Sequence, residues 1–183
     1  YQSSSSNPDV IEFGAGIAPA DVAVVRSGND LVLKLSNGTD QITVTNWFAE
    51  TTGAYSIEQV RFAGGITWTN TQLTTQALEV FGTSGNDTLS GLGNFMDTLH
   101  GGAGNDTLQA VGSGDILDGG TGDDLLNGSS QSDTYVFKLG DGKDTIAEYQ
   151  SSSSNPDVIE FGAGIAASDI TVKRIGQDMV LTH

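Results

Sequence analysis

Residues 82–90 read GTSGNDTLS, residues 101–109 GGAGNDTLQ, and residues 119–127 GGTGDDLLN; these three phrases decide the architecture. Looser versions lie between them, carrying Asp97, Asp115 and Asp133, and a stretched one ends in GDGKDTI at 140–146. The aspartates stand at 87, 97, 106, 115, 124, 133 and 144, with gaps of 10, 9, 9, 9, 9 and 11. A clock of about nine residues, each unit supplying glycine, aspartate and one apolar residue, is the pattern of a stacked parallel β architecture. Asn/Asp-Gly turns in an ordinary antiparallel domain need no such clock.

If each unit is a turn followed by a three-residue strand, two units complete one coil, and units two apart stack. Stacked strands lie about 4.8 Å apart, and calcium binds six to eight oxygens at about 2.3–2.6 Å. One ion therefore fits between two stacked turns and reaches an aspartate from each. Backbone carbonyls complete its shell, and glycine lets the main chain come close enough to supply them. The pairs expected are Asp87/Asp106, Asp106/Asp124 and Asp124/Asp144 on one side, and Asp97/Asp115 and Asp115/Asp133 on the other. That allows up to about five ions. The turn residues assigned to the sites are Gly82, Gly85, Asn86, Gly101, Gly102, Gly104, Asn105, Gly119, Gly120, Gly122 and Asp123. The 97/115 and 124/144 pairs are expected to be irregular, because the units beginning at Gly91 and ending at Ile146 each run off register. Asp118, Asp123 and Asp141 fall off the clock and read as solvated turn residues, with Asp123 also able to add a carbonyl or a carboxylate to a site. The inward apolar positions are Leu89, Leu99, Leu108, Leu117, Leu126, Tyr135 and Ile146.

The stretch resembles the RTX, or haemolysin-type, calcium-binding repeat family. Residues 9–73 resemble the flanking domain that accompanies such repeats: FGAGI at 13–17, GNDLVL at 28–33, NWF at 46–48 and VRFAGGITW at 60–68. The resemblance implies an all-β fold: a parallel β-roll capped by short-stranded segments. It also implies Ca2+ as cofactor and export by a type I system, hence a secreted, extracellular bacterial protein.

Composition agrees. Formal net charge is −16, from 23 acidic and 7 basic residues, so no surface is available to neutralise phosphates, and nucleic acid is excluded as a partner. Packed carboxylates and 25 glycines leave the metal-free repeat little to hold it together. There is no cysteine, so metal rather than disulfide must supply the staples. No apolar run approaches a membrane span and no signal peptide opens the chain. No G-x-S-x-G elbow or H-E-x-x-H motif is present, and His100 and His183 stand alone.

A second, larger repeat overlays the first. YQSSSSNPDVIEFGAGIA at 1–18 recurs unchanged at 149–166, and 20–33 is echoed at 168–181. The chain thus reads as one unit of about 148 residues plus the opening of the next: a cap segment at 1–75, the roll at 76–148, and the start of the next cap at 149–183. Residues 9–73 are expected to form short strands with a hairpin turn at 36–39, and 73–80 a short helix or an extended lead-in. Trp47, Phe48, Tyr55, Phe62 and Trp68 fit either a core or a sugar-stacking platform, and core is the commoner role. The serine runs at 3–6 and 151–154 read as linkers or cap loops.

The function these features favour is a non-enzymatic, calcium-dependent structural module of a large tandem-repeat protein. Its partners would be calcium ions and neighbouring units. An adhesin or carbohydrate-binding module contacting cell-surface glycan is a second class. An accessory region of a secreted lipase, protease or alginate epimerase is a third.

Overall fold

Short strands form wherever one apolar residue is flanked by β-favouring threonine or valine and bounded by glycine, and such phrases fill both parts of the chain. A computed structural model describes residues 8–49, 51, 54–112, 114–148 and 156–183; both serine runs lie outside the described residues. The chain divides into two units, Tyr1–Val80 and Phe81–His183.

In the first unit β1 (Val10–Phe13), β2 (Val22–Ser27), β3 (Asp30–Leu35), β4 (Gln41–Val44), β5 (Gln59–Phe62) and β6 (Thr67–Thr69) precede the helix α1 (Asn70–Leu78). β2, β3 and β4 make an antiparallel meander. Its β3–β4 turn falls at the predicted hairpin, where Gly38 adopts φ 77° and Asn37 Oδ1 accepts the amides of Thr39 and Asp40. β1 pairs parallel with β5, which pairs antiparallel with β6. The segment 73–80 combines both expected forms, because α1 is followed directly by a strand. Thr69 and Gln72 form a reciprocal capping box that starts α1, and Leu73 and Ala77, one turn apart, are its fully buried positions.

Leu31, Leu33, Val60, Trp47, Phe48 and Phe62 are core residues. The Trp47 indole donates to Thr74 Oγ1 at 3.0 Å. Three of the five candidate platform aromatics are therefore interior, Trp68 is half-buried and Tyr55 is exposed. An indole held inside this way offers no stacking face to a sugar.

The roll is built from two parallel sheets. One contains β8 (Thr88–Ser90), β10 (Thr107–Gln109), β12 (Leu125–Asn127) and β14 (Thr145–Ala147). The other contains β7 (Glu79–Phe81), β9 (Thr98–Ala103), β11 (Ile116–Thr121), β13 (Thr134–Phe137) and β15 (Val158–Phe161). Registers pair Leu89 with Leu108, Leu108 with Leu126 and Leu126 with Ile146, and in the other sheet Leu99 with Leu117 and Leu117 with Tyr135. Units two apart therefore stack, as the clock predicts. Leu99, Leu108, Leu117, Leu126 and Tyr135 are buried, whereas Leu89 and Ile146, at the two ends of their sheet, are partly uncovered. The extra residue before Asp97 is looped out at Met96, which is exposed, so Leu99 keeps its register. A final antiparallel hairpin joins β16 (Thr171–Ile175) and β17 (Asp178–Thr182). Among the described residues no helix is long and apolar enough to cross a membrane.

Candidate metal centre

The residue before each strand from β8 to β15 is an aspartate, and stacking the strands stacks the aspartates. Along one side the backbone N–H of Asp87 donates to Asp106 Oδ1 at 2.7 Å, that of Asp106 to Asp124 Oδ1 at 2.7 Å, and that of Asp124 to Asp144 Oδ1 at 3.1 Å. Along the other, Asp97 donates to Asp115 at 2.8 Å, Asp115 to Asp133 at 2.8 Å, and Asp133 to Asp157 at 3.0 Å. All seven sequence-predicted aspartates thus lie in two columns with the expected neighbours, the two irregular units included.

The second carboxylate oxygen divides the aspartates into two kinds. In Asp106, Asp124 and Asp144, Oδ2 is buried and accepts no hydrogen bond. In Asp115 and Asp133 it accepts the backbone N–H of Val111 (2.9 Å) and Ser129 (2.7 Å). In Asp97 it accepts Leu92 (2.6 Å), and in Asp87 it accepts both N–H and Oγ1 of Thr83. The residue four positions earlier explains the difference. Before Asp106, Asp124 and Asp144 it is Gly102, Gly120 or Gly140, each at positive φ (104°, 87° and 96°), which few other residues adopt. Before Asp87, Asp115 and Asp133 it is Thr83, Val111 or Ser129, and its amide closes a local turn onto the carboxylate. Asp97 obtains the same bond from Leu92 across its one extra residue.

Glycine also makes room. A Cβ at Gly101 would collide with the Asp106 carboxylate and the Gly119 carbonyl, and one at Gly119 with the Asp124 carboxylate. Gly82 stands in the same relation to Asp87 and the Gly101 carbonyl. Above Gly102, Gly104, Gly120 and Gly122 lie the carbonyls of Thr83, Gly85, Gly102 and Gly104, so the turns present stacked main-chain oxygens. Gly85 differs: the nearest atom to a Cβ there is 3.9 Å away. Asn86, Asn105 and Asp123 form a ladder of their own, each Oδ1 accepting the next turn's N–H from Asn105, Asp123 and Lys143.

Burial pushes the Asp115 carboxyl up to about 6, with Asp97 and Asp133 adding repulsion against the backbone hydrogen bonds that oppose it. Asp144 is likewise raised to about 6 by burial, and Asp124 is raised for the same reason. Crowded, desolvated carboxylates with unfilled oxygens, beside carbonyls in glycine-lined turns, are the donor set of a hard divalent cation. The residues therefore fit calcium. The ion, when bound, supplies the positive charge that the columns lack.

Two off-clock aspartates correct the sequence reading. Asp118 and Asp141 are buried rather than solvated. Asp118 accepts Lys138 Nζ at 2.5 Å and lies 3.4 Å from His100 Nδ1, while Asp141 Oδ2 accepts the Lys138 amide at 2.6 Å. One lysine from the adjacent coil neutralises a site that its spacing alone marked as surface. Asp157 was missed, although Asp157-Val-Ile repeats the aspartate-x-apolar phrase of the roll. Its carboxylate lies near those of Asp133 and Glu148, with one oxygen from each within 4.8 Å of the others.

Residues 30–72 match the model of the haemolysin-type calcium binding protein related domain. Residues 79–94, 92–110, 100–135 and 109–146 match the RTX calcium-binding nonapeptide repeat. The iron-regulated protein FrpA of Neisseria meningitidis serogroup C is 32% identical over 66 residues, 36% of this chain and 6% of that protein. The crystal structure of the extracellular lipase LipA from Serratia marcescens aligns with 94% of this chain and 31% of its own, at 22% identity and a TM-score of 0.44. The chain therefore spans a small part of each relative it matches. With two aspartate columns on a nine-residue clock and four matched copies, residues 79–146 are a run of RTX calcium-binding nonapeptide repeats, preceded at 30–72 by a haemolysin-type calcium binding protein related domain.

Proposed function

We propose that this chain is a structural module that becomes rigid when calcium ions bind between stacked turns of the roll, within a longer protein that acts outside the cell. The observation that carries the reading is the set of buried, unpartnered Oδ2 atoms of Asp106, Asp124 and Asp144 beside glycines that keep their turns open. The sites Asp106/Asp124 and Asp124/Asp144 fill first, because no hydrogen bond must break to free an oxygen. Asp87/Asp106 follows, with the Thr83 contacts competing at one end. Asp97/Asp115 and Asp115/Asp133 bind more weakly, since Leu92, Val111 and Ser129 already hold the carboxylates.

Calcium concentrations of about 10⁻⁴–10⁻³ M suit extracellular modules of this kind, so the chain stays loose in a calcium-poor cytosol and sets on exit. Circular dichroism with calcium titration tests this. A cooperative rise in β signal that a chelator reverses is expected. Magnesium, which demands near-octahedral geometry and dehydrates reluctantly, should produce no comparable rise. Asp106→Ala, which touches two sites, should raise the calcium midpoint more than Asp87→Ala, which touches one. A β signal unchanged by chelator would overturn the proposal.

A further inference from the structure

The sequence VIEF occurs twice, as β1 and β15, and the two copies hydrogen-bond through opposite edges. In β15, Val158 N–H donates to Asp133 O and Gly162 N–H to Phe137 O, so Val158, Glu160 and Gly162 face β13. In β1, Asp9 O accepts the Gln59 N–H, so Asp9, Ile11 and Phe13 face β5. Backbone groups alternate between the edges of a strand. Among the described residues, the edge that β1 uses at Ile11 and Phe13 therefore has no strand beside it in the identical residues Ile159 and Phe161. Each copy is also the terminal strand of its sheet.

We infer that this strand is a two-sided joint: residues 157–161 pair with the last coil of one roll through one edge and with the β5–β6 hairpin of the following unit's cap through the other. The inference rests on the reading of the chain as a unit of a tandem array. The partner is the next copy of residues 58–69, in the register Val10–Gln59 to Phe13–Phe62 that β1 displays.

Three further features continue across the joint. In the second aspartate column each N–H donates to a carboxylate one coil on, ending at Asp157; in the other copy the Asp9 N–H donates to Glu58 Oε2 at 2.6 Å. A glutamate of the following cap thus takes the place of the next aspartate and ends the column. The aromatic contacts join likewise. Phe161 meets Phe137 edge-on at 6.2 Å, and its equivalent Phe13 stacks on Phe62 at 5.3 Å, which meets Trp68 at 4.8 Å. Finally, the hairpin after β15 keeps the register of β2–β3, Ser27–Asp30 becoming Ile175–Asp178. Yet Val172 and Met179 are 58% and 65% exposed, where their equivalents Val24 and Leu31 are 8% and 0%. These are apolar positions prepared for the remainder of a cap.

The test extends the full chain after His183 with residues 36–80 of its own sequence, completing the second cap in frame. Amide exchange is then followed by NMR in saturating calcium. In the 183-residue chain the two VIEF copies should show opposite patterns, Ile11 and Phe13 protected in one, Glu160 and Gly162 in the other. In the extended chain the Ile159 and Phe161 amides should slow by roughly a hundredfold or more as edge amides become ladder amides, with Glu160 and Gly162 unchanged. Ile159→Pro should leave the roll of the 183-residue chain intact, because that N–H points to the open edge, and should abolish the gain at Phe161 in the extended chain. Fast exchange at Ile159 and Phe161 in the extended chain, whether or not the added residues fold, overturns the joint. The calcium reading is scored separately, by the response of the Leu108 and Leu117 amides to chelation.

Discussion

Asp124→Asn should stabilise the calcium-free roll and weaken the calcium-bound one. Asp124 is 2% exposed, and its Oδ1 accepts the Asp106 N–H at 2.7 Å while Oδ2 is buried without a partner. Asparagine has the same shape and keeps the Oδ1 acceptor, so the substitution removes the charge and leaves the ladder. Without metal, burial raises the Asp124 pKa, with Asp106 and Asp141 adding repulsion, so the charge works against folding. Its removal recovers about 1.4 kcal/mol for each tenfold by which burial raises the proton affinity of the carboxylate. With calcium, Asp124 borders two sites. Loss of a charged contact at each, at about 1.5–3 kcal/mol apiece, weakens the loaded roll by about 3–6 kcal/mol. Circular dichroism measures both numbers: urea unfolding of the calcium-saturated protein, and titration of the metal-stripped chain with a stabilising osmolyte, which draws the roll out of the unfolded ensemble. Destabilisation of equal size in the two states would show that Asp124 has a packing role only, and would refute the reasoning.

The glycines should separate into two classes. Gly119→Ala places a methyl group into the Asp124 carboxylate and should cost roughly 1–3 kcal/mol or more, with loss of calcium-induced folding; Gly85→Ala, which meets only Thr83 Oγ1 at 3.9 Å, should leave the calcium midpoint unchanged. The pH dependence should run against the usual direction for carboxylates. Asp115 and Asp144 have folded pKa values raised from 3.8 to about 6, so their stabilising contribution is present in full below 3.8 and is lost as pH rises through 6. For the buried Asp115 this amounts to about 3 kcal/mol at 1.36 kcal/mol per tenfold change in proton affinity. The metal-stripped chain should therefore show more β signal at pH 4 than at pH 7, while the calcium midpoint rises as pH falls and protons compete. A stripped chain that gains β signal with rising pH would contradict the assignment.

The local clock in the sequence was sufficient for the β-roll, the two aspartate columns and their pairing, because a strand needs only one inward residue and a turn needs only glycine at set positions. The same information places Leu108 over Leu89 and Asp106 over Asp87 without any distant contact. Distant contacts decided the rest. Asp118 looked like a surface residue until Lys138, from another coil, came to lie against it. The aromatics of the first unit could not be assigned to core or surface until the meander and α1 enclosed Trp47. Which aspartates keep a free oxygen was written four residues upstream, as glycine or not, but that code has no meaning until the fold shows the upstream amide turning onto the carboxylate. The two identical strands carry the clearest division: their sequence determines that each is a strand, and only the tertiary structure decides which edge is filled, because hydrogen-bonding partners are set by what packs alongside and not by the residues themselves.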